Sequence, residues 1–388
     1  MNLSGTMREG GLSRRSGYHR SNFHHSPFIV FWETTQACDL VCKHCRASAQ
    51  PDRHPDEIRG HLCDVLIEQL AQFPRKPTLI LTGGDPMKRS DLFDIIRRST
   101  NAGLTVAMTP SATPLVHGEA LRRLKSAGLS RIAFSLDGVT APTHDGIRGF
   151  SGSFDQTIEL IRQAREIGLP VQINTTISRR NVNEVDAIAR FLSDLNITLW
   201  SVFFLIPVGR GANEERIEPA KYEEVFGSLW YHAQTKPYAI KTTEAPHYRR
   251  FVIQNGGNPR AGAAAKGANC GGVLQRAPLG LNDGNGCMFI SHRGEIFPSG
   301  FLPVEAGRFP RDSVVSVYQN APIFKALRNP DAFRGKCGRC EYRRVCGGSR
   351  ARAFAVTGDY LAAEPDCLYE SSGKANPTLE AIEGGTRT

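Results

Sequence analysis

The sequence predicts an α/β protein in which six parallel β/α units, left open rather than closed into a ring, precede a small cysteine-rich unit. Three observations predict it. Apolar, strand-like runs alternate with segments of helical period from Phe28 to Leu205, which is the signature of parallel βαβ units. Three helices end on the same dipeptide, at Gly103-Leu104, Gly128-Leu129 and Gly168-Leu169, and each leads into a strand. Glycine just past a helix end is the expected C-terminal cap. Finally, of the ten cysteines only Cys63 lies outside a cluster-like setting; it sits among Leu62, Val65 and Leu66 and reads as a buried apolar residue.

The first strand, Phe28 to Trp32, runs through Thr34-Thr35-Gln36 into Cys38-Asp39-Leu40-Val41-Cys42-Lys43-His44-Cys45. Three thiols within eight residues form a compact cage of the soft ligands that iron–sulfur clusters select. They leave one iron of a four-iron cluster without a protein donor, so a small molecule can bind there. Zinc is the alternative, with His44 folding back as a fourth ligand. Disulfides are disfavoured, because no signal peptide precedes the motif and nothing points to an oxidising compartment.

A helix follows from about Asp56 to Phe73, with Ile58, Leu62, Val65, Leu66 and Leu70 at helical spacing. The second strand, Thr78 to Leu81, ends in Thr82-Gly83-Gly84-Asp85-Pro86, where glycines let backbone approach a ligand and Asp85 adds an acceptor. Strands three to five are Thr105 to Met108, Arg131 to Ser135, and Pro170 to Thr175. Ser135 and Asp137 close the fourth, and a carboxylate there suits ribose hydroxyls. A loop, His144 to Gly149, brings Arg148, a partner for a carboxylate, and Asn174 stands at the end of the fifth strand. A helix near Asn183 to Leu195 and a sixth strand, Leu199 to Leu205, complete the series, two strands short of a closed barrel. A helix near Ala220 to His232 comes next. The Pro-broken segment Lys241 to Arg250 then gathers Glu244, His247, Tyr248, Arg249 and Arg250; its bland reading is a surface loop. The glycine-rich stretch 255–272 marks a domain boundary.

Cys270 and Cys287 flank that boundary. Met288 to Phe297 reads as a hairpin turning at Arg293-Gly294. Cys337-x2-Cys340-x5-Cys346 with Cys367 then supplies a complete ligand set for a second metal centre, iron–sulfur or zinc. The net charge of +10 would suit nucleic acid. It has another use here, since seven basic residues fall between Arg334 and Arg352, where they can balance an anionic cluster or receive substrate carboxylates. No apolar run approaches a membrane span. A soluble, cytoplasmic protein without nucleic-acid or membrane partners is therefore expected. Its units are a basic disordered tail (1–25), a barrel (26–254), a cysteine-rich domain (255–370) and a flexible tail (371–388).

The C-x3-C-x2-C motif after a first strand, with His44 in the usual aromatic place, resembles that of the radical S-adenosylmethionine (radical SAM) enzymes. The resemblance covers about residues 28 to 370. It implies a partial (β/α)6 TIM-like barrel and a [4Fe-4S] cluster on Cys38, Cys42 and Cys45 whose open iron chelates S-adenosyl-L-methionine. One electron then releases a 5′-deoxyadenosyl radical. In that family a Gly-Gly-Glu motif receives the methionine amino group. Gly83-Gly84-Asp85 takes its place with a shorter acid, and Ser135, Asp137, Arg148 and Asn174 become cosubstrate contacts. The later cysteines resemble the SPASM extension, which implies an auxiliary [4Fe-4S] cluster on Cys337, Cys340, Cys346 and Cys367. Gly347-Gly348-Ser349 departs from that pattern, which usually has a cysteine after the glycines. Cys270 and Cys287 are thus left as incomplete donors to a second auxiliary cluster. Phe28 to Ala47, Lys241 to Arg250, Pro298 to Pro303 and Cys346 to Arg352 most resemble the heme-biosynthesis branch, the coproheme decarboxylases and heme d1 maturation enzymes. On that basis His247, Arg249 and Arg250 are expected substrate contacts, the substrate a tetrapyrrole propionate or else a peptide. The electron donor is a flavodoxin or ferredoxin. A non-catalytic electron carrier or zinc-binding protein is the reading from another class.

Overall fold

The computed structural model describes residues 23–259 and 278–371. Most of the glycine-rich boundary, Cys270 with it, lies outside the described residues, as does nearly all of either tail. Seven parallel strands alternate with helices: β1 (Ile29–Thr35), α1 (His61–Ala71), β2 (Thr78–Gly83), α2 (Leu92–Asn101), β3 (Thr105–Met108), α3 (Gly118–Ser126), β4 (Arg131–Ser135), α4 (Ala141–Arg148), α5 (Ser153–Glu166), β5 (Val171–Ile177), α6 (Val185–Asp194), β6 (Leu199–Phe204), α7 (Pro219–Thr235) and β7 (Ala239–Thr243). After α8 (His247–Gln254) come β8 (Cys287–Ile290), β9 (Glu295–Phe297), β10 (Gly307–Arg308), α9 (Val314–Asn320), α10 (Pro322–Leu327), α11 (Gly335–Arg339) and α12 (Arg350–Thr357). Among the described residues no helix is long and apolar enough to cross a membrane.

The expected strands and cap glycines are present, with three departures in the barrel. The helix expected from about Asp56 begins only at His61, after the Gly60 cap, so Ile58 precedes it. The segment His144 to Gly149, expected as a loop, is the second half of α4. Thr140 caps that helix and Gly149 ends it in the left-handed region. The segment expected to be a Pro-broken loop is split between β7, paired parallel to β6, and α8. β7 escapes sequence reading because every one of its residues is half-buried. As an edge strand it carries Lys241 and threonines where central strands carry an apolar run.

The sheet runs β10-β9-β8-β1-β2-β3-β4-β5-β6-β7. β8 pairs parallel to β1, and β8 and β9 form the expected hairpin. The second unit therefore extends the barrel sheet at its β1 edge. Alternation sets the two faces of each strand. Val30, Trp32, Leu79, Leu81, Ile132, Phe134 and Trp200 belong to the buried core. The alternate positions, among them Ser135, Asn174, Thr176 and Phe203, line the interior of the curved sheet. Strand ends thus bring residues distant in sequence to one mouth.

Candidate active site and a second thiol pocket

The loop after β1 carries the first three thiols. Cys38 and Cys42 are buried and Cys45 is half-buried. They open on a cavity of about 190 Å³ lined also by Gly83, Gly84, Ser111, Ser135, Arg148 and Asn174. The loop is held from three sides. Ser111, in the loop after β3, places its Oγ 3.2 Å from Cys38 Sγ. Arg210, after β6, donates from Nε to the Cys42 carbonyl at 2.9 Å and from Nη1 to the Ala49 carbonyl at 3.0 Å. Arg148 Nη1 lies 3.7 Å from Cys42 Sγ. Ser111 and Arg210 were not singled out as site residues from sequence. Their one signal is position, each in the connection that follows a strand whose C-terminal end faces the site.

The two glycines are required by packing as well as by the cavity. A Cβ on Gly83 would stand 2.2 Å from the Thr35 carbonyl oxygen, and one on Gly84 equally close to that of Ala37. The end of β2 can thus lie directly under the cysteine loop.

Several polar residues are committed differently from the sequence expectation. The resemblance makes Asp85 an acceptor for the methionine amino group, but its carboxylate is fully buried and turned into the fold. Oδ1 accepts from Met87 N at 3.1 Å and from Ser111 N at 3.4 Å, and Oδ2 accepts from Thr113 Oγ1 at 2.9 Å. Burial pushes its pKa up to about 6, against those hydrogen bonds. The shorter acid thus braces the turn that presents Ser111 to Cys38. Replacing Asp85 with alanine is expected to destabilise the fold by about 1–3 kcal/mol, the cost of orphaning buried donors. Cosubstrate affinity should fall with it. Unchanged melting together with weakened S-adenosylmethionine binding would instead mean direct contact.

Asp137 was read as a ribose contact. It is fully buried and pairs with Arg148, Nη2 to Oδ2 at 2.6 Å, while its Oδ1 accepts from Thr176 N at 2.8 Å. Burial alone would raise its pKa, but Arg148 foremost, with His44 and His144, holds it below the ordinary carboxylate value. Arg148, read as a partner for the methionine carboxylate, thus spends one nitrogen on Asp137 and aims another at Cys42. His44 Nε2 is 3.7 Å from Asp137. Burial holds its pKa at about 4, so at neutral pH the ring is uncharged. Ser135 and Asn174 do line the cavity.

A second pocket is lined by Cys337, Cys340, Cys346 and Cys367 together with His247, Arg250, Lys336 and Arg343. Its thiols already receive hydrogen bonds. Glu364 N donates to Cys337 Sγ at 3.2 Å and Gly348 N to Cys346 Sγ at 3.4 Å. Arg350 Nη2 lies 3.7 Å from Cys337 Sγ. Burial pushes Cys340 up to about 11 and Cys346 higher still, so these thiols become good ligands only when a metal displaces their protons. Cys287 is not in this pocket; Asp283, Glu244 and Lys241 are its charged neighbours. Among the described residues no three His, Cys, Asp or Glu side chains converge on one point as the ligands of a single ion. Both sets of thiols ring a cavity, which suits a polynuclear cluster.

The three expected substrate contacts all lie on this side of the molecule. Arg249 donates to the carbonyls of Val345 and Leu281, at 3.0 and 2.7 Å, and so ties α8 to the cysteine loop. Arg250 pairs with Glu223, Nη1 to Oε2 at 3.0 Å, and its guanidinium lies over the Tyr369 ring. His247 faces the four-thiol pocket. Of the seven basic residues, Arg350 and Arg352 are fully buried and do not belong to a solvated face.

A three-thiol loop and a Gly-Gly strand end meet around one cavity at the mouth of an open parallel barrel, the arrangement expected of an enzyme that holds an iron–sulfur cluster with a chelated cosubstrate. The chain belongs to the radical SAM superfamily, whose family model matches residues 32–192. It is 38% identical to the AdoMet-dependent heme synthase of Methanosarcina barkeri over 90% of this chain and 98% of that one. It is 36% identical to the AdoMet-dependent heme synthase of Nitratidesulfovibrio vulgaris over 88% and 92%. Among solved structures, Streptococcus suis SuiB bound to S-adenosylmethionine matches with a TM-score of 0.66 at 15% identity, over 89% of this chain and 78% of that one. The fold is therefore shared well beyond recognisable sequence. Family membership implies the [4Fe-4S] cluster and S-adenosylmethionine as cofactors.

Proposed function

We propose that this enzyme oxidatively decarboxylates propionate side chains of an iron-bound tetrapyrrole to vinyl groups. Cys38, Cys42 and Cys45 would hold the catalytic cluster, and Cys337, Cys340, Cys346 and Cys367 an auxiliary [4Fe-4S] cluster of SPASM type. When bound, the catalytic cluster and S-adenosylmethionine supply a 5′-deoxyadenosyl radical that removes a hydrogen atom. The substrate then loses carbon dioxide and one electron to leave a vinyl group. That electron needs an acceptor, and the four-thiol pocket is where the chain would hold one. A cytoplasmic flavodoxin or ferredoxin is the proposed reductant of the catalytic cluster; the nine described cysteines are all unpaired, in keeping with a reducing compartment.

The observation that carries a carboxylate substrate is a pair of barrel cations. Arg131 shares its strand face with Ser135, and Lys241 shares its own with Thr243, whose hydroxyl lies 3.2 Å from that of Ser201. Both cations are half-buried, and no carboxylate pairs with either among the described residues. Burial, with the charge of Arg131 beside it, brings Lys241 down to about 8. Two half-buried like charges without a carboxylate partner among the described residues favour an anion beside them, although neither is among the residues that line the three-thiol cavity. The relatives named as heme synthases make a propionate the leading choice.

An anaerobic titration with iron-coproporphyrin, followed by mass analysis after turnover, tests this. The expected result is a Soret shift and loss of carbon dioxide. Lys241→Met should weaken binding about 10- to 100-fold, the worth of one charged hydrogen bond, while leaving substrate-free cleavage of S-adenosylmethionine unchanged. With neither Soret shift nor decarboxylation, the tetrapyrrole reading fails and a peptide substrate takes its place.

A further inference from the structure

We propose that His247 donates a hydrogen bond to the iron–sulfur group held by Cys337, Cys340, Cys346 and Cys367, and thereby raises its reduction potential. This rests on the auxiliary cluster proposed above.

His247 opens α8 and is 1% exposed. It lines the four-thiol pocket, and neither Nδ1 nor Nε2 has a hydrogen-bond partner among the described residues. Its neighbours do not satisfy it. The rings of Tyr222 and Phe226 pack at 5.2 and 4.9 Å between centroids, and the Tyr222 hydroxyl is spent on Asp366 at 3.0 Å. An imidazole always carries at least one N–H, and a buried donor without an acceptor is costly. What the pocket offers is sulfur. Four cysteines complete the ligand set of a four-iron cluster, so the histidine is left to donate rather than to ligate. An N–H aimed at cluster or cysteinyl sulfur stabilises the reduced, more negative state more than the oxidised one. Hydrogen bonds to the sulfurs are among the features that set cluster potentials. The consequence fits the site, since a higher potential makes the cluster a better acceptor for an electron leaving a substrate radical.

The test is an anaerobic redox titration, followed by electron paramagnetic resonance, of the reconstituted full-length protein beside His247→Phe and His247→Gln. Phenylalanine preserves the ring packing and removes the donor, whereas glutamine keeps an N–H. The expected result is an auxiliary midpoint lower in His247→Phe by about 59 mV, a tenfold bias toward the oxidised form for one electron. Glutamine should recover part of the shift, and the potential of the catalytic cluster should not move. Equal auxiliary potentials in His247→Phe and wild type, at equal iron content, would overturn the proposal. If the phenylalanine variant fails to hold its second cluster, wild-type protein carrying 15N-histidine decides. A nitrogen coupling to the reduced auxiliary cluster in pulsed resonance supports the bond, and its absence refutes it. A wild-type iron content near four per chain would instead refute the auxiliary cluster itself, a failure distinct from that of the hydrogen bond.

Discussion

Replacing Cys42 with alanine is expected to lower the iron of the reconstituted protein from about eight to about four per chain and to abolish reductive cleavage of S-adenosylmethionine. The open-site cluster proposed for Cys38, Cys42 and Cys45 would have three protein ligands and no spare. Among the described residues no further thiol lines that cavity, so two thiolates would have to retain the cluster alone. The fold should survive. Cys42 is one small side chain in a loop otherwise held by backbone and arginine contacts, and Arg148 keeps Asp137 as its partner at 2.6 Å. The remaining iron would then be that of the auxiliary cluster proposed for the four-thiol pocket. Iron analysis and chromatography of 5′-deoxyadenosine read the two effects separately, and cleavage retained in this variant would refute the assignment of the catalytic thiols.

Replacing Arg352 with leucine is expected to destabilise the protein by about 3–5 kcal/mol, the cost of stranding buried partner charges. Arg352 is fully buried. Its Nη1 lies 3.1 Å from either oxygen of Glu364, and its Nε lies 3.2 Å from Asp366 Oδ2. Nη2 donates to the Glu244 carbonyl at 2.7 Å, just after β7. One guanidinium thus joins the barrel edge to the cysteine-rich unit. Glu364 also accepts from Ser349 N at 2.7 Å and donates its own N–H to Cys337 Sγ, so its displacement should loosen the four-thiol pocket as well. Denaturant unfolding should show the loss, and iron should fall toward about four per chain through depletion of the auxiliary site. Normal stability with full iron content would show that Glu364 and Asp366 find other partners, and the structural role given to Arg352 would fail.

Much of the fold was legible because its signals are local. The run from Phe28 to Trp32, the Gly-Leu caps and the hairpin at Arg293-Gly294 each need only neighbours in sequence. The strand β7 was not legible, since an edge strand with half-buried residues shows no apolar run. Helix α4 was not legible either, as Thr140, Pro142 and Gly149 mark its ends but the segment between them is largely polar.

Arg249 and Arg250 mark the limit of residue chemistry read in sequence. A guanidinium near a site reads as a substrate contact, and nothing in the sequence says that Val345, Leu281 and Glu223 will reach these two first. Asp85, Asp137 and Arg148 follow the same rule. The two acids stand just past strand ends and Arg148 closes α4, yet the direction of each side chain depends on which buried donors and charges lie across the barrel. By itself the sequence determined the alternating barrel, the two thiol sets and the residue types available to them, because spacing and residue chemistry travel with the chain. Only the tertiary structure decided which polar groups face the cavity and which brace it. It paired Asp137 with Arg148, left Arg131 and Lys241 without acidic partners among the described residues, and set His247 against four thiols, because pairing and burial are properties of residues brought together from distant parts of the chain.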